Sequence, residues 1–560
     1  MLAAISNERL TRIKNDGGRL SDEAIDEVLR IAGRARSDVE CLALLYTFYP
    51  EHYFRRETLL KELERRLVRR RRQRHGKDAP QMLLSGFVER LHARGRSLES
   101  HFLSERFLAE QKFSRASVRF YDHHDSHAVA AAYYSGFSRC AVVTIDGNGD
   151  GNVSHTAGVW EDGRYSRLNV TDALGASAGH FYSHVTKLLG FQPLRHEGKI
   201  VGLAALGDAK HLTPGLMKAL RPDSEMKAFT SDFVGESDPE SARYEYMRRT
   251  IEGVPRENVA AAAQHVLEDA VVEIIRRFLV ETGERRLALN GGVFANVKLN
   301  QRIAALDEVD SIFVFPAMSD TGNALGAALQ DIARTDTADR IKGRRLNDVY
   351  WGPEYGDDEI RTCIGAAAVK AQRVSESKLV QLAAEAIHHG KIVGWFQGRM
   401  EFGPRALGNR SMLARPTESR INDWLNKRLD RSEFMPFAPS VLAEKADLVF
   451  EDVEKARHTA EFMTITFDVK VEWRDRIPAV VHVDGTARPQ LVRYEINPLY
   501  HRLISAYEAL SGIPLVLNTS FNVHEEPIVC APQDAIKALV DGRVDFLGIG
   551  GWWVEGKTVG

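Results

Sequence analysis

A two-part mixed α/β architecture is what this sequence predicts, and three observations carry the prediction. Short runs rich in Val, Ile, Leu and Phe alternate with segments of helical period along most of the chain, the pattern of mixed α/β folds. At 560 residues the chain suggests two to four domains. Around 330–360 the alternation lapses into a polar stretch holding Tyr350, Trp351, Gly352 and Pro353, which reads as a boundary. The expected units are 1–350 and 370–560. With 44% hydrophobic residues a sizeable core is available, and a formal charge of -2 excludes a global nucleic-acid-binding excess. Four scattered cysteines without a CxxC pair exclude a disulfide-dense scaffold. The first residues turn charged within eight positions and no stretch of about 20 apolar residues occurs. The expectations are therefore no membrane span, no export signal and a cytoplasmic location.

The elements follow in order. Leu20–Gly33 reads as a helix with Ser21 as its cap, and Thr58–Val68 as another, running into the basic stretch Arg69–His75. Ser117–Tyr121 is β-rich and His123–Tyr134 is helical. Cys140–Ile145 is a strongly apolar strand ending at Asp146, and Asp146–Gly151 turns it into the antiparallel His155–Trp160. A long helix is expected over Val259–Val280. Strands at Leu287–Asn290 and Ser311–Pro316 run into Gly291-Gly292 and Asp320, with a small-residue helix at Ala324–Leu329. In the second unit a helix at Val380–His389 and a strand at Lys391–Gln397 precede a glycine- and arginine-rich loop through Arg410. The strand Ala479–Val483, the helix Tyr500–Ser511, the strand Leu515–Leu517 and the helix Asp534–Val540 complete the reading.

Within Asp122-His123-His124-Asp125-Ser126-His127, His123 and His127 lie four apart, on one face if the segment is helical. Two neutral imidazoles at that spacing can share a divalent ion. Position 124 is His rather than Glu, so the zinc-peptidase signature is absent. Asp146 and Asp320 each follow a strand and can complete the site, with iron, zinc or manganese all compatible. Asp146, Asn148, Asp150 and Gly151 open like a calcium loop, but its twelfth position is Ala157 and the following run is β-like, which rules that loop out.

Two further sets suggest anion binding. Gly291-Gly292 with Asn296, and Glu197-Gly198-Lys199, can bring backbone and a lysine to a phosphate. In the second unit Arg399, Arg405 and Arg410 lie within twelve residues among glycines, and guanidiniums suit forked phosphate contacts. Arg431, His482, Asp484, Arg488, Asn518 and Ser520 can join them around a polyphosphate or acyl-phosphate.

These blocks resemble the O-carbamoyltransferases of antibiotic and nodulation-factor biosynthesis. The resemblance rests on AAISNERLTRIKNDGG at 3–18, DHHDSHA at 122–128, TIDGNGDG at 144–151 and LGFQPLRHEGKIVGLAALG at 189–207. It continues through LNGGVFANVKLN at 289–300, FVFPAMSDTGNALGAA at 313–328 and FQGRMEFGPRALGNRSMLARP at 396–416. RSEFMPFAP at 431–439, HVDGTARPQ at 482–490 and NTSFNVHEEPIV at 518–529 complete it.

The resemblance implies a C-terminal unit that makes carbamoyl-adenylate from carbamoyl phosphate and ATP. It implies an N-terminal unit of the sugar-kinase/actin/heat-shock type that passes the carbamoyl group to a hydroxyl of a small molecule or sugar. It also implies a divalent metal, iron(II) foremost with zinc or manganese as alternatives, on His123, His127, Asp146 and Asp320. The expected reacting set is Arg405, Arg410, Arg431, Asn518 and Ser520. The expected nucleotide-holding set is Lys199, Gly291, Gly292, Asn296, Arg399, His482 and Asp484. A homodimer is a possible state, and nucleic acid is not an expected partner. The alternatives are a tRNA threonylcarbamoylation enzyme and an impaired nucleotide-binding protein. Two departures accompany the resemblance. Relatives carry an apolar strand and a His-Asp turn before the segment matching Leu2–Arg12, so the first strand of the N-terminal sheet is expected to be missing and transfer to be weak. Met435 stands where relatives often have Arg.

Overall fold

The computed structural model describes residues 2–17, 20–45, 51–54, 102–174, 176–335, 341–421, 427–428, 437–523 and 525–556. The expected helix Thr58–Val68, the basic stretch Arg69–His75, Arg431 and Met435 lie outside the described residues.

Helix α1 (Asn7–Thr11) and helix α2 (Asp22–Ala32) open the chain. Ser21 caps α2, its side chain accepting from the Ala24 N–H, as its residue type predicts. Strands β1 (Cys41–Leu45) and β2 (Ser117–Tyr121) form a parallel pair. Helix α3 (His123–Ser135) leads into a five-stranded sheet. Its strands are β3 (Arg139–Ile145), β4 (Val153–Glu161), β5 (Arg164–Asp172), β6 (Arg286–Asn290) and β7 (Ser311–Val314). The order is β5-β4-β3-β6-β7, with β3, β6 and β7 parallel and β4 and β5 antiparallel to their neighbours. Because β3, β6 and β7 run the same way, Asp146, Gly291 and the segment leading to Asp320 emerge on one edge of the sheet. Between β5 and β7 come α4 (Ala178–Leu188), α5 (Glu197–Ala204), α6 (Pro239–Thr250), the buried α7 (Arg256–Thr282) and α8 (Val297–Ala304). Helix α9 (Asn323–Thr335) follows β7.

The second sheet has eight strands: β8 (Lys370–Arg373), β9 (Val393–Phe396), β10 (Arg410–Ala414), β11 (Ala438–Leu442), β12 (Gln490–Val492), β13 (Leu515–Ser520), β14 (Phe546–Ile549) and β15 (Trp552–Glu555). Their order is β8-β15-β14-β9-β10-β13-β11-β12. Helices α10 (Glu376–His388) and α11 (Pro498–Ser511) pack together, and α12 (Pro532–Val540) lies against β14 and β9. Core residues of both sheets, among them Val143, Leu267, Leu289, Trp395, Val516 and Leu547, belong to one continuous buried cluster. A second cluster joins Ala128 and Phe313 to Phe402 and Leu407.

The expected strand Ala479–Val483 is not formed. Pro478 starts a single 3-10 turn, Pro478–Val480, and the chain reverses between His482 and Thr486. Proline supplies no ladder donor, which disfavours a strand there. The first segment is tied to the second sheet's loops. Ala4 N–H donates to Trp351 O (3.1 Å), Arg9 to Gly403 O (3.0 Å), and Arg12 to Pro527 O and Ile528 O (2.9 and 2.7 Å).

Candidate functional site

Helix α3 begins where Asp122, its cap, accepts from the Asp125 N–H, and Asp150 Oδ2 accepts from the His123 N–H (2.8 Å). Carboxylates at this end suit the helix dipole. Arg167 pairs with both Asp122 and Asp125. One turn inside, His123 and His127 share a face with ring centroids 4.8 Å apart, and both are buried. The middle histidine faces elsewhere. His124 holds Thr144 Oγ1 at 2.7 Å and Val153 O at 2.8 Å, and burial keeps it well below the ordinary histidine range.

Asp146 arrives from β3 and Asp320 from the turn after β7. His127 Nε2 lies 3.2 Å from Asp146 Oδ2 and 3.6 Å from Asp320 Oδ1; the corresponding distances from His123 Nε2 are 3.7 and 3.6 Å. One ligand atom from each of the four residues falls within 4.8 Å of every other. For metal–ligand bonds of about 2.1 Å, the corners of a tetrahedron are about 3.4 Å apart. His123 Nε2 is buried without a hydrogen-bond partner in this arrangement. Burial opposes charge on His123, yet Asp146 and Asp320 raise it to about 9. The same neighbours, His123 and His127, hold Asp146 well below the usual carboxylate range against its burial. The cage thus favours a positive charge at its centre, and its nitrogen and oxygen donors fit a first-row divalent ion.

The paired glycines support this cage directly. A Cβ on Gly291 would lie 2.2 Å from Ile145 O, and one on Gly292 3.1 Å from Asp146 Oδ1. The Gly292 N–H donates to Asp146 Oδ2 (3.3 Å), so the pair seats Asp146. Asn296 caps α8 and exchanges hydrogen bonds with Gln264 inside the core. Lys199 is buried on α5, its ammonium 5.9 Å from the centre of the Phe191 ring.

In the second unit Arg399 and Arg410 bond main-chain carbonyls. Arg410 is fully buried, with its guanidinium 3.7 Å over the Phe396 ring. It donates to Gln397 O, Gly398 O, Asn409 O and Pro353 O. Arg399 donates to Leu2 O, Trp351 O and Gly352 O. Arg410 staples the loop through the loop's own carbonyls, and Arg399 ties it to Leu2, Trp351 and Gly352. Glu401 completes the loop, with Oε1 accepting from the N–H groups of Leu407, Asn409 and Arg410. Arg405, beside the exposed Pro404, stays half-buried. Asn518 is buried and donates to Ser440 Oγ (2.9 Å), while Ser520 donates to Asn522 Oδ1 (2.6 Å). His482 and Asp484 share a tight turn, and Lys298 of α8 reaches Asp484 Oδ2 at 2.9 Å.

Sequence reasoning missed several of these residues. Asn323 is fully buried and places its amide 3.1 Å from His127 Nε2 and 3.4 Å from His123 Nδ1. A sequence separation of 196 from His127 leaves no local spacing to join the two. Lys298 and Glu401 were overlooked inside blocks read for their glycines and arginines.

The sequence profile described as the carbamoyltransferase N-terminus matches residues 1–329, and that of the carbamoyltransferase C-terminus matches 384–556. An uncharacterized protein of Methanocaldococcus jannaschii is 36% identical over 80% of this chain and 75% of its own length. The nodulation protein NolNO of Sinorhizobium fredii is 35% identical over 100% of this chain and 78% of its own. The 3'-hydroxymethylcephem-O-carbamoyltransferase of Streptomyces clavuligerus is 30% identical over 64% of this chain and 65% of its own.

Proposed function

Since the chain belongs to the carbamoyltransferase family and is a transferase by that membership, we propose that it transfers a carbamoyl group from carbamoyl phosphate, through carbamoyl-adenylate made with ATP, to a hydroxyl of a small molecule or sugar. The observation that supports this reading is the cage of His123, His127, Asp146 and Asp320, in a chain that both carbamoyltransferase profiles match. Activation belongs to residues 370–560 and transfer to 1–350, the latter read as a sugar-kinase/actin/heat-shock-type unit.

Each unit has its own residues for the task. Arg405 and Ser520 face anionic donor groups in the activation step, while Arg410, Arg399 and Glu401 hold the loop that presents Arg405. Asp484, tied to His482 and to Lys298, links the turn of the second unit to the helix that follows the paired glycines of the first. His123, His127, Asp146 and Asp320 hold a divalent ion, iron(II) foremost. When bound, such an ion neutralises nucleotide phosphate or polarises the transferred carbonyl. A mixed anhydride with AMP gives an alcohol a better leaving group than carbamoyl phosphate does, and paired sites keep that labile species from water.

The test is direct. Purified protein, ATP and carbamoyl phosphate are incubated with a panel of sugars and other hydroxyl-bearing acceptors. Mass spectrometry should then find an acceptor heavier by one carbamoyl group, with pyrophosphate released in step. Carbamoyl found on tRNA alone would sink the reading.

A further inference from the structure

Outside the cage, one cluster of titratable side chains borders the same loop. Helix α4 starts at Ser177, whose Oγ accepts from the His180 N–H (3.1 Å) and donates to Gly147 O (2.6 Å). The helix is thereby fastened to the residue that follows Asp146. Gly179 packs so closely there that a Cβ on it would stand 2.7 Å from Asp146 O. The next residue, His180, lays its ring against Gly147, and a Cβ on Gly147 would meet His180 Nε2 at 3.3 Å. The Gly147 N–H itself donates to Asp146 Oδ1 (2.7 Å).

The other edge of the ring is spoken for. His180 Nδ1 lies 3.3 Å from Glu240 Oε2, on α6. Glu240 also meets Arg243 Nη2 at 3.0 Å and His184 Nε2 at 3.0 Å, and the Arg243 side chain is fully buried. Burial opposes the charge on Glu240, but the hydrogen bonds from His180 and His184 and the nearby Arg243 hold it far below the usual range. A permanent carboxylate accepts, so it fixes the proton of His180 on Nδ1 and leaves the Nε2 lone pair open. About a third of the His180 side chain is exposed (33%), and Asp320 opens the cage to solvent with 73% of its side chain exposed.

We propose that His180, oriented by Glu240, takes the proton from the acceptor hydroxyl at the lip of the cage. This rests on the reading of the protein as an O-carbamoyltransferase. As the hydroxyl oxygen bonds to the carbamoyl carbon, its O–H bond breaks and the proton passes to His180 Nε2. The bond from that carbon to the phosphate oxygen of the carbamoyl-adenylate breaks, and AMP leaves with the electron pair. His180 then returns the proton to solvent. His180 is the catalytic residue, and Glu240 is a positioning residue.

Four measurements on the full chain test this. His180→Ala should lower the rate of transfer about 100-fold or more, the scale of general-base catalysis. Its metal content and its carbamoyl-phosphate-dependent pyrophosphate release should match wild type. Added imidazole should restore part of the transfer rate, which no purely structural role provides. Glu240→Gln should lower kcat with KM for the acceptor little changed. Unchanged transfer in His180→Ala overturns the proposal, as does loss of metal from it without imidazole rescue. If wild type carbamoylates no acceptor, the functional reading fails separately, and nitrogen-15 NMR of His180 still decides: a proton on Nε2 overturns the proposal, and one on Nδ1 with Nε2 open supports it.

Discussion

Arg410 and Arg405 stand five residues apart in one loop, yet they answer to different physics. Arg410 donates to four main-chain carbonyls from a fully buried position. Truncation leaves those acceptors dry, at about 1–3 kcal/mol for each one unsatisfied. Arg410→Ala should therefore lose about 3 kcal/mol or more of stability in urea unfolding, and Arg410→Lys should recover only part of it. Arg405→Ala should unfold like wild type but lose about 1.5–3 kcal/mol of a charged contact. That is roughly tenfold to a hundredfold in carbamoyl-phosphate-dependent pyrophosphate release. Equal activity in Arg405→Ala and wild type would place the anion elsewhere. At the cage, His127→Ala removes a buried imidazole that faces both aspartates. Elemental analysis should show that variant with little bound metal while it still forms the adenylate.

Helix α9 meets α3 at Gly326, where an added Cβ would stand 1.8 Å from Ser126 O. Such contact of backbone on backbone holds Asn323, at the start of α9, against His123 and His127. Gly326→Ala should cost about 1–3 kcal/mol through overpacking and weaken metal binding, seen together in thermal melts and metal titration. Gly365 sits within helix Asp357–Ala367 with nothing within 4 Å of its missing Cβ, so Gly365→Ala should stabilise by about 0.5–1 kcal/mol. Much of this element layer was legible in the sequence. The i, i+4 spacing of His123 and His127 and the apolar runs ending at Asp146 and near Asp320 mark four side chains whose donor atoms the fold brings within 4.8 Å of one another. His180 and Glu240 were not legible, because 60 residues separate partners that only the packing of α4 against α6 joins. The carbonyl partners of Arg399 and Arg410 were not legible either. Sequence shows their charge, but only the fold shows the carbonyls around them. The strand expected at Ala479–Val483 does not form because Pro478 starts a 3-10 turn there and supplies no ladder donor.

Across the whole molecule, buried neutral histidines set the response to acid. His155 is held down to about 3 by burial within β4. His458, stacked on Phe313 with its Nε2 2.8 Å from Leu346 O, is likewise at about 3, by burial and then by Arg345. In the unfolded chain each titrates near 6.5. Below that value the unfolded state gains protons that the folded state refuses, so stability falls as pH drops from 6.5 towards 3. At pH 5 the loss is about 2 kcal/mol per histidine. Urea midpoints at pH 7 and pH 5 should show it, and His458→Phe should remove about 2 kcal/mol of the fall. The clamp of the first segment carries a consequence in time. Arg12 bonds Ile528 O across a sequence separation of 516. A ribosome adding about 5–20 residues each second needs roughly half a minute to two minutes to bridge that gap. Helix α1 therefore cannot complete its docking until nearly all of the chain that receives it has been made.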